Sequence, residues 1–389
     1  MDLAPLNAAG MPQGRVLVFN AGSATLKYTV LDLPSTGPLV DRTLPWSATT
    51  PAAVSAVVGD AIAQLDADGL TNDGLDVVGH RVVHGGERFT ESTLIDDPLI
   101  ADLERIADLA PLHDPLATAT IRAARSRLGA IPHVAAFDTA FHATLPEVAR
   151  RYPVPDPWVE THGVRRFGFH GLSIQWSVGA ASSLLGRPVD QVRLVVAHLG
   201  GGCSVTAVDR GRSVDTSMGM TPLEGLMMGT RAGSIDPGIV FRLIRAGVIA
   251  EDVERQLDHE SGLRGVGGTD DMQQLLALER DGDRRATLAI ELFVRRAAAG
   301  IAAAATSLDG LDALVFTGGI GEHAATVRSR ICARSAVLGI PSIPARDAAA
   351  GMLTRPGDRP AVIVVHARED VVIAEEALRV AERTRPSGR

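Results

Sequence analysis

Lysine is the residue type that this sequence lacks most clearly. The chain has 389 residues and 38 basic side chains; 37 are arginine, and the single lysine is Lys27. Arginine is a wide planar fork and lysine a compact charge, so a position that keeps lysine against this bias indicates a site that needs the smaller head group. The surroundings predict a β-hairpin, with strands at 15–20 and 26–32 and a polar turn at 21–25. We interpret it as a phosphate-binding hairpin; an exposed lysine on an edge strand is the alternative.

Cysteine and aromatic residues are also scarce. The two cysteines, Cys203 and Cys332, are too far apart in sequence for a zinc motif or a disulfide framework, and we expect both to be small core residues in a reducing compartment. Aromatic residues make up 4% of the chain, which favours an α/β protein with small-residue packing over a nucleic-acid binder that stacks bases. A net charge of −8 likewise argues against a nucleic-acid or anionic-membrane partner.

Three further absences narrow the class of protein. The N-terminus has no signal-peptide core, and apolar runs such as 297–305 are far shorter than the roughly 20 residues that span a bilayer. We therefore predict a soluble protein of the cytoplasm, with no membrane partner. The chain also has no Gly-x-x-x-x-Gly-Lys-Ser/Thr loop, so any ATP site must be built from hairpins and glycine turns of another kind.

The chain divides near its middle, where prolines cluster at 153–157. We predict a flexible tail at 1–14, an N-terminal domain at 15–150 and a C-terminal domain at 151–370, with a helix at 371–385 packing back on the first domain. The first hairpin recurs at 192–209, with an offset of 178 residues. This predicts two related halves, although hairpins are common enough in α/β proteins for coincidence to be the alternative.

The remaining pattern alternates strands with helices and predicts the α/β class. We predict strands at 77–83, 134–137, 314–317 and 362–365, and helices at 100–110, 286–307 and 371–383. The strand at 314–317 leads into a glycine turn at 318–321, where the backbone could approach a nucleotide closely.

One strand end has the features of a carboxylate site. Residues 79–87 end a strand in a glycine turn, and strand alternation places Arg81 and Val83 on one face. Arginine can clamp a carboxylate with two hydrogen bonds, and an aliphatic neighbour can wall off a small apolar tail. A structural ion pair of Arg81 is the alternative.

Three other side chains are candidates for the chemistry. Asp138 follows a strand and could serve Mg²⁺ directly or through water, or could cap a helix instead. His170 lies among glycines and aromatic residues, where a buried core histidine is the alternative. Arg231 is the only basic residue in an irregular stretch at 217–237, a length typical of a binding loop or lid.

Seven segments together resemble the acetate kinase family, in order and over nearly the whole chain, from residue 16 to about 381. They are residues 20–27, 80–87, 110–113, 137–142, 162–171, 198–204 and 218–237. The resemblance implies two domains with a duplicated actin-like (RNase H-like) βββαβαβα core, as in sugar kinases and heat-shock ATPases, acting as a homodimer. It implies reversible transfer of the γ-phosphoryl of ATP to acetate, giving acetyl phosphate and ADP, with Mg²⁺ or alternatively Mn²⁺.

The resemblance also assigns roles to residues. The implied catalytic residues are Arg81, Asp138, His170 and Arg231, and the implied substrate-binding residues are Arg81, Val83, Leu112, Phe169 and Pro222. The implied metal residues are Asn20, Asp138 and Glu369. The implied nucleotide-binding residues are Ser23, Thr25, Lys27, His198, Leu199, Gly200, Gly201, Gly202, Asp271, Met272, Gln273, Gly319, Ile320, Gly321, Glu322 and His323.

The departures from the family pattern cluster on the nucleotide side. Gly201 and His323 stand where asparagine is usual, Gln273 where arginine is usual, and residues 366–368 replace Pro-Thr-Asn before Glu369. Thr25 replaces a serine and keeps its hydroxyl. Nucleotide preference therefore stays open.

The acceptor side is intact, and Val83 is larger than the alanine expected of a roomier pocket, which favours acetate. Acetate is already ionised at pH 7 and needs no general base, so we expect Asp138 to orient the metal or its water. The alternatives are a propionate or other short-chain acyl kinase, and a nucleotide-switched binding protein on the same fold.

Overall fold

The computed structural model describes residues 12–22, 24–46, 50–71, 74–111, 113–346 and 350–384. The chain forms two compact units. Unit 1 comprises Met1–Ala143, Phe169–Trp176 and Arg368–Arg389, and unit 2 comprises Thr144–Gly168 and Ser177–Ala367. The predicted site residues Ser23 and Leu112, and most of the predicted tail at 1–14, lie outside the described residues.

Each unit contains a six-stranded sheet within the described residues. The strands of unit 1 are β1 (Gly14–Ala21), β2 (Thr25–Leu33), β3 (Pro38–Pro45), β4 (Val77–Val82), β5 (Thr93–Leu94) and β6 (His133–Phe137). Those of unit 2 are β7 (Arg193–Leu199), β8 (Cys203–Asp209), β9 (Arg212–Thr216), β10 (Ala313–Thr317), β11 (Gly351–Met352) and β12 (Ala361–Val364).

Helices cover much of the rest of the described residues. In chain order they are α1 (Pro51–Ala67), α2 (Asp97–Arg105), α3 (Asp114–Leu128), α4 (Glu147–Arg150), α5 (Asp156–His162), α6 (Gly171–Leu185), α7 (Pro237–Arg245), α8 (Ala250–His259), α9 (Gly262–Gly267), α10 (Met272–Arg280), α11 (Arg284–Ala305), α12 (Gly318–His323), α13 (Ala325–Arg334) and α14 (Glu369–Thr384). Short 3₁₀ turns lie at Ala107–Leu109, Ala140–Thr144, Val189–Gln191 and Ala336–Leu338.

The two sheets have the same topology. Unit 1 has the order β3-β2-β1-β4-β6-β5, and unit 2 has β9-β8-β7-β10-β12-β11. In both, three antiparallel strands come first, two parallel strands follow, and a short antiparallel strand closes the edge. The equal order and directions confirm the predicted duplication of the fold.

Buried parallel strands explain why the sequence places polar groups at one end of each sheet. Strands β6 and β10 are buried at every residue, as their continuous apolar runs predict. Their carboxyl ends run directly into the segments that begin at Asp138 and Gly318. Ligand sites in open α/β sheets lie at such carboxyl ends.

Helix α14 packs on the sheet of unit 1, against β1, β4 and β6. The approach is close enough to require glycine in the strand, because a Cβ on Gly79 would lie 2.7 Å from Cγ2 of Ile373. The first residue of this helix is Glu369. Close packing of α14 therefore fixes where that carboxylate sits.

Most element predictions are confirmed within a few residues, with three corrections. The glycine turn predicted at 318–321 is the start of helix α12, Gly318–His323. The helix predicted at 100–110 begins at Asp97 and ends at Arg105, and a separate 3₁₀ turn follows it. Lys27 does not lie on an edge strand, because β2 pairs with both β1 and β3. No helix of the described residues is long and apolar enough to cross a membrane.

Candidate active site

The guanidinium of Arg81, next to the end of β4, joins three oxygen-bearing side chains of unit 1. Nε and Nη2 donate to the two carboxylate oxygens of Asp138 at 3.0 and 2.6 Å. Nη1 donates to Oδ1 of Asn20 at 3.2 Å and lies 3.6 Å from Oε2 of Glu369. The amide of Asn20 donates to the same Glu369 oxygen at 3.4 Å. The ion pair that the sequence left open as an alternative for Arg81 is therefore present.

Burial and charge act against each other in this cluster. Burial alone would lower the pKa of Arg81, but the carboxylates of Asp138 and Glu369 outweigh it and raise the pKa above its ordinary value. Burial raises the pKa of Glu369, as do the nearby charges of Asp138 and Asp370, while Arg81 opposes them. The side chain of Asp138 is only 1% exposed. Because one guanidinium faces two carboxyl groups, one buried and one partly exposed, the cluster has capacity for additional positive charge.

Lys27 lies on the same face of the sheet as this cluster, since it pairs directly with Asn20 across β1 and β2. Its ammonium lies 3.3 Å from Oδ1 of Asp41, and both side chains are nearly half exposed. Thr25 begins the same strand, at the end of the hairpin turn. An exposed ion pair of this kind is weak, so Lys27 can exchange Asp41 for another anion at little cost.

His170 has a backbone conformation that L-residues rarely adopt, with φ of 60°. Its buried segment is packed against the turn that follows β6: the N–H of Gly171 donates to the carbonyl of Asp138 at 3.0 Å, and a Cβ on Gly171 would lie 2.1 Å from that oxygen. Holding a non-glycine residue at positive φ costs about 1–3 kcal/mol, and such outliers cluster at functional sites. The alternative of an ordinary core histidine does not account for this strain.

Two predicted apolar pocket residues of unit 1 are also buried. Val83 is 6% exposed, and Phe169 is 1% exposed. The ring of His84 meets the ring of Phe169 edge-on, with centroids 5.4 Å apart. The imidazole of His142 hydrogen-bonds to the carbonyl of Phe169 at 2.9 Å, and burial lowers the pKa of His142 to about 4. A neutral histidine thus anchors this aromatic wall.

The glycine residues predicted as a turn at 318–321 form the start of helix α12 instead, and they lie against the glycine turn that follows β7, because β7 and β10 are parallel neighbours. A Cβ on Gly318 would lie 2.9 Å from the carbonyl of Leu199 and 3.1 Å from Nε2 of His198, so glycine is required there. Gly201 and Gly319 have no atom within 4 Å of a Cβ position and leave open space. Gly201 and Gly319 are exposed, so a ligand can approach the backbone at these two positions, whereas the N–H of Gly200 is already bonded to the carbonyl of Gly202 at 3.0 Å.

Glu322 has a structural role that the sequence did not predict. One oxygen accepts from the backbone N–H groups of Gly318 and Ala367, each at 3.0 Å, and the other lies 2.6 Å from Nδ1 of His366. The carboxylate thus fixes the start of α12 and ties it to the residues that follow β12. The ring of His323 lies 6.1 Å from that of His366, so two of the departures from the family pattern are neighbours.

The segment at 271–273 forms a helix start. The carboxylate of Asp271 caps α10, accepting from the N–H groups of Gln273 and Gln274 at 2.8 and 3.2 Å. Met272 is buried, whereas Gln273 is exposed. Of the three predicted nucleotide residues, Gln273 therefore offers an exposed side chain, while the carboxylate of Asp271 is committed to the cap.

Arg231 lies in a stretch without helix or strand, residues 217–236, as predicted. Its Nη1 donates to the carbonyl of Pro222 at 3.1 Å, and its Nε lies 4.0 Å from Asp258. The loop is tied to the first glycine turn by a hydrogen bond from Gly229 N–H to the carbonyl of Gly201. Arg231 and the predicted pocket residue Pro222 are therefore held together.

The cysteines confirm their predicted role as core residues, since both are buried and unpaired by a disulfide. Burial raises the pKa of each thiol to about 12. Neither supplies a nucleophile at neutral pH.

Comparisons with known proteins identify the family. The family model described as the acetokinase family matches residues 47–375. Acetate kinase of Deinococcus deserti is 44% identical, covering 94% of this chain and 97% of that protein, and acetate kinase of Leifsonia xyli subsp. xyli is 43% identical, covering 93% and 98%.

Solved structures give the same result. The crystal structure of Porphyromonas gingivalis acetate kinase matches with a TM-score of 0.86 at 34% identity, covering 94% of this chain and 99% of that one. A propionate kinase from Francisella tularensis matches with a TM-score of 0.87 at 33% identity, covering 94% and 100%. The chain therefore belongs to the acetokinase family, kinases that transfer a phosphoryl group with acetate as the acceptor.

Proposed function

We propose that the protein transfers the γ-phosphoryl group of ATP directly to acetate, reversibly and with Mg²⁺. The observation that carries the proposal is the ion cluster of Arg81, Asp138, Asn20 and Glu369, placed at the strand end that leads into buried Val83. The guanidinium uses three of its five N–H groups in this cluster, which leaves two for an acetate carboxylate.

The chemistry requires positioning and positive charge, not proton transfer. An acetate oxygen forms a bond to the γ-phosphorus, the bond from that phosphorus to the bridging oxygen breaks, and ADP leaves with the electron pair. Arg81, His170 and Arg231 would stabilise the charge that spreads over the equatorial oxygens. Asp138 is bonded to Arg81 through both oxygens, which supports an orienting role over that of a base.

Asn20, Asp138 and Glu369 would hold the magnesium. They supply the hard oxygen donors that this ion prefers, and the cluster carries more acid than base. Within the described ranges no group of three His, Cys, Asp or Glu side chains could hold a metal ion by itself, so phosphate oxygens and water would have to supply the remaining ligands. When bound, Mg²⁺ would neutralise phosphate charge. Mn²⁺ has the same ligand preferences.

Lys27 and the glycine segments that follow β7 and β10 would bind the nucleotide. The exposed pair of Lys27 with Asp41 can open toward a phosphate. Gly201 and Gly319 leave room for phosphate oxygens beside backbone N–H groups. Glu322 would fix the start of α12 without touching the nucleotide.

Kinetics of two arginine variants test the assigned roles. Arg231→Ala removes charge needed in the transition state, so we expect kcat to fall with little change in KM for acetate. Arg81→Ala also removes the acceptor clamp, so KM for acetate should rise as well. An Arg231→Ala enzyme with wild-type kcat would contradict the assignment.

The stereochemical course at phosphorus tests direct transfer. ATP made chiral at the γ-phosphorus should give acetyl phosphate with inverted configuration, because one in-line displacement occurs. Retention would indicate a phosphorylated enzyme intermediate.

A propionate kinase activity is the second candidate, favoured by the structural match to the Francisella tularensis enzyme. Buried Val83 supports acetate, since a pocket with alanine there would be larger. We expect kcat/KM to fall from acetate to propionate to butyrate, and Val83→Ala to shift preference toward propionate by about 10-fold, as expected for one methylene. A wild-type preference for propionate would decide for the second candidate.

A homodimer is supported by helix α7 of unit 2. It buries none of its residues and exposes Phe241 and Ile244, while its basic residues and the acidic first turn of α8 could pair across a two-fold axis. Phe241→Asp should convert the dimer to monomer in analytical ultracentrifugation, and Val337→Asp, at an exposed site elsewhere, should not. A monomeric wild type would contradict the proposal.

The cytoplasm would be the location, in keeping with two reduced, buried cysteines.

A further inference from the structure

A completely buried carboxyl group lies at the start of helix α3. Asp114 is 0% exposed, and its Oδ1 accepts a hydrogen bond from the backbone N–H of His84 at 3.2 Å. The carboxyl also faces the backbone N–H of Val83. Its Oδ2 has no hydrogen-bond partner among the described residues. A buried carboxyl with an unused oxygen is costly and requires a physical explanation.

Burial keeps this acid neutral. Burial raises the pKa of Asp114 to about 8, and the charge of Asp138 acts in the same direction. Below that pH the carboxyl accepts the hydrogen bond from the N–H of His84 and faces that of Val83 without adding a negative charge to the one on Asp138. The titratable residues linked to it are His113, its neighbour in sequence, His84, through the backbone N–H, and Asp138, through its charge.

The turn that Asp114 holds carries one wall of the proposed acceptor pocket and supports the other. Val83 belongs to the turn, and the ring of His84 packs edge-on against Phe169 at 5.4 Å. Two more contacts fix the turn: Gly85 N–H donates to Oγ1 of Thr139 at 3.1 Å, and Gly86 N–H donates to Nδ1 of His84 at 2.9 Å. Asp114 is the side chain that holds the backbone of this turn at the residues next to the pocket walls.

We propose that Asp114 is a positioning residue that sets the fit of the acceptor pocket through the backbone of Val83 and His84. The carboxyl does not touch the substrate. It holds the turn at the distance from Phe169 at which a short acid fits between the two walls. This inference rests on the proposed function, because it assigns the pocket between Val83 and Phe169 to the acid.

Two substitutions test it. Asp114→Asn keeps the acceptor oxygen and should keep wild-type KM for acetate at pH 7. Asp114→Ala leaves the N–H groups unsatisfied, a loss typically worth about 10-fold in an equilibrium. We expect KM for acetate to rise about 10-fold, discrimination against propionate to weaken, and kcat and KM for ATP to stay within about twofold.

The pH profile gives a readout that needs no destabilised variant. Above about pH 8 the wild-type Asp114 ionises within the electrostatic influence of Asp138, and the added negative charge should raise KM for acetate; the Asp114→Asn enzyme should show no such rise. Wild-type behaviour of both variants together with identical pH profiles would overturn the inference while leaving the proposed function intact. A wild-type enzyme that phosphorylates no acid would instead overturn the proposed function.

Discussion

Arg81 links more functional groups than any other side chain of the candidate site. Alternation along β4 predicted its face but not its partners, since Asp138 lies 57 residues away in sequence and Glu369 follows a whole second unit. Contacts of that range come from tertiary packing, which no local pattern encodes. The resemblance to a family named the same residues, and the structure adds that they are mutual neighbours.

Removing the Arg81 guanidinium should destabilise the protein as well as inactivate it. Arg81→Ala leaves the nearly inaccessible Asp138 without its cation, which typically costs about 3–5 kcal/mol of unfolding free energy. Urea denaturation would measure it. The matched control is Arg122→Ala, which breaks an exposed pair with Glu104 and should cost at most about 1 kcal/mol. Equal losses of unfolding free energy in the two variants would show that the Arg81 ion pair contributes no more to stability than an exposed ion pair.

The Lys27→Arg variant tests whether Lys27 binds a phosphate group or is a surface lysine without such a role. The side chain is about half exposed and paired with Asp41, so stability should change by less than about 1 kcal/mol. A compact ammonium that fits one phosphate position cannot be replaced by a planar fork, so kcat/KM for ATP should fall at least about 10-fold. Steady-state kinetics with varied ATP would measure it. Unchanged ATP turnover would mean that the lysine survived by chance.

Among the secondary-structure elements, the buried strands with continuous apolar runs were predicted best from the sequence. Strands β6, β10 and β12 were placed within one residue of their observed limits, since buried strands flanked by turns leave little ambiguity. The predicted C-terminal end of α2 lies beyond the observed one. The 3₁₀ turn at 107–109 follows the helix directly, and its residues have the spacing of a helix. The role of Glu322 was missed, since its partners at 366–367 are brought close only by the pairing of β10 with β12.

The packing of the His170 segment on the Asp138 turn depends on a missing side chain. Gly171→Ala would place a Cβ 2.1 Å from the carbonyl of Asp138, so the segment must shift, at a cost of about 1–3 kcal/mol. We expect a lower melting temperature and a kcat reduced by more than 10-fold, because His170 moves with it. In the control Gly37→Ala, the nearest atom is Oγ of Ser35 at 3.7 Å, and both quantities should stay at wild-type values. A fully active, stable Gly171→Ala enzyme would refute this packing argument.

On the scale of the whole molecule, buried histidines predict acid sensitivity. Burial lowers the pKa of His142 and that of His133 to about 4, whereas an unfolded histidine titrates near 6.5. The unfolded chain therefore binds more protons below pH 6.5, and the folded state loses up to about 1.4 kcal/mol per pH unit for each such histidine as pH falls toward 4. The buried neutral histidines therefore make their full contribution to the free energy of unfolding above pH 6.5.

Denaturation by urea at pH 7.5 and pH 5.0 tests that prediction. The loss of unfolding free energy between the two pH values should be about 2 kcal/mol smaller in His142→Asn than in the wild type, since one buried titration is removed. His259→Asn, on the exposed end of α8, is the control and should lose as much as the wild type. A wild type whose stability is the same at both pH values would rule out the predicted acid sensitivity.

The duplicated sheets give two strand-end sites in one chain, an acid-and-arginine cluster in unit 1 and paired glycine segments in unit 2. The sequence indicated both through its repeated hairpin, and the common strand order explains why they recur at equivalent places.

Hydroxamate trapping of the acyl phosphate tests the proposed phosphoryl transfer to acetate most directly. The wild-type enzyme is incubated with ATP, Mg²⁺ and acetate, propionate or butyrate, and hydroxylamine converts any acyl phosphate to a coloured hydroxamate. We predict acetyl hydroxamate in step with ADP, less product from the longer acids, and a loss of product in Arg231→Ala. ATP binding without hydroxamate from any of the acids would contradict the account and indicate a nucleotide-switched binding protein.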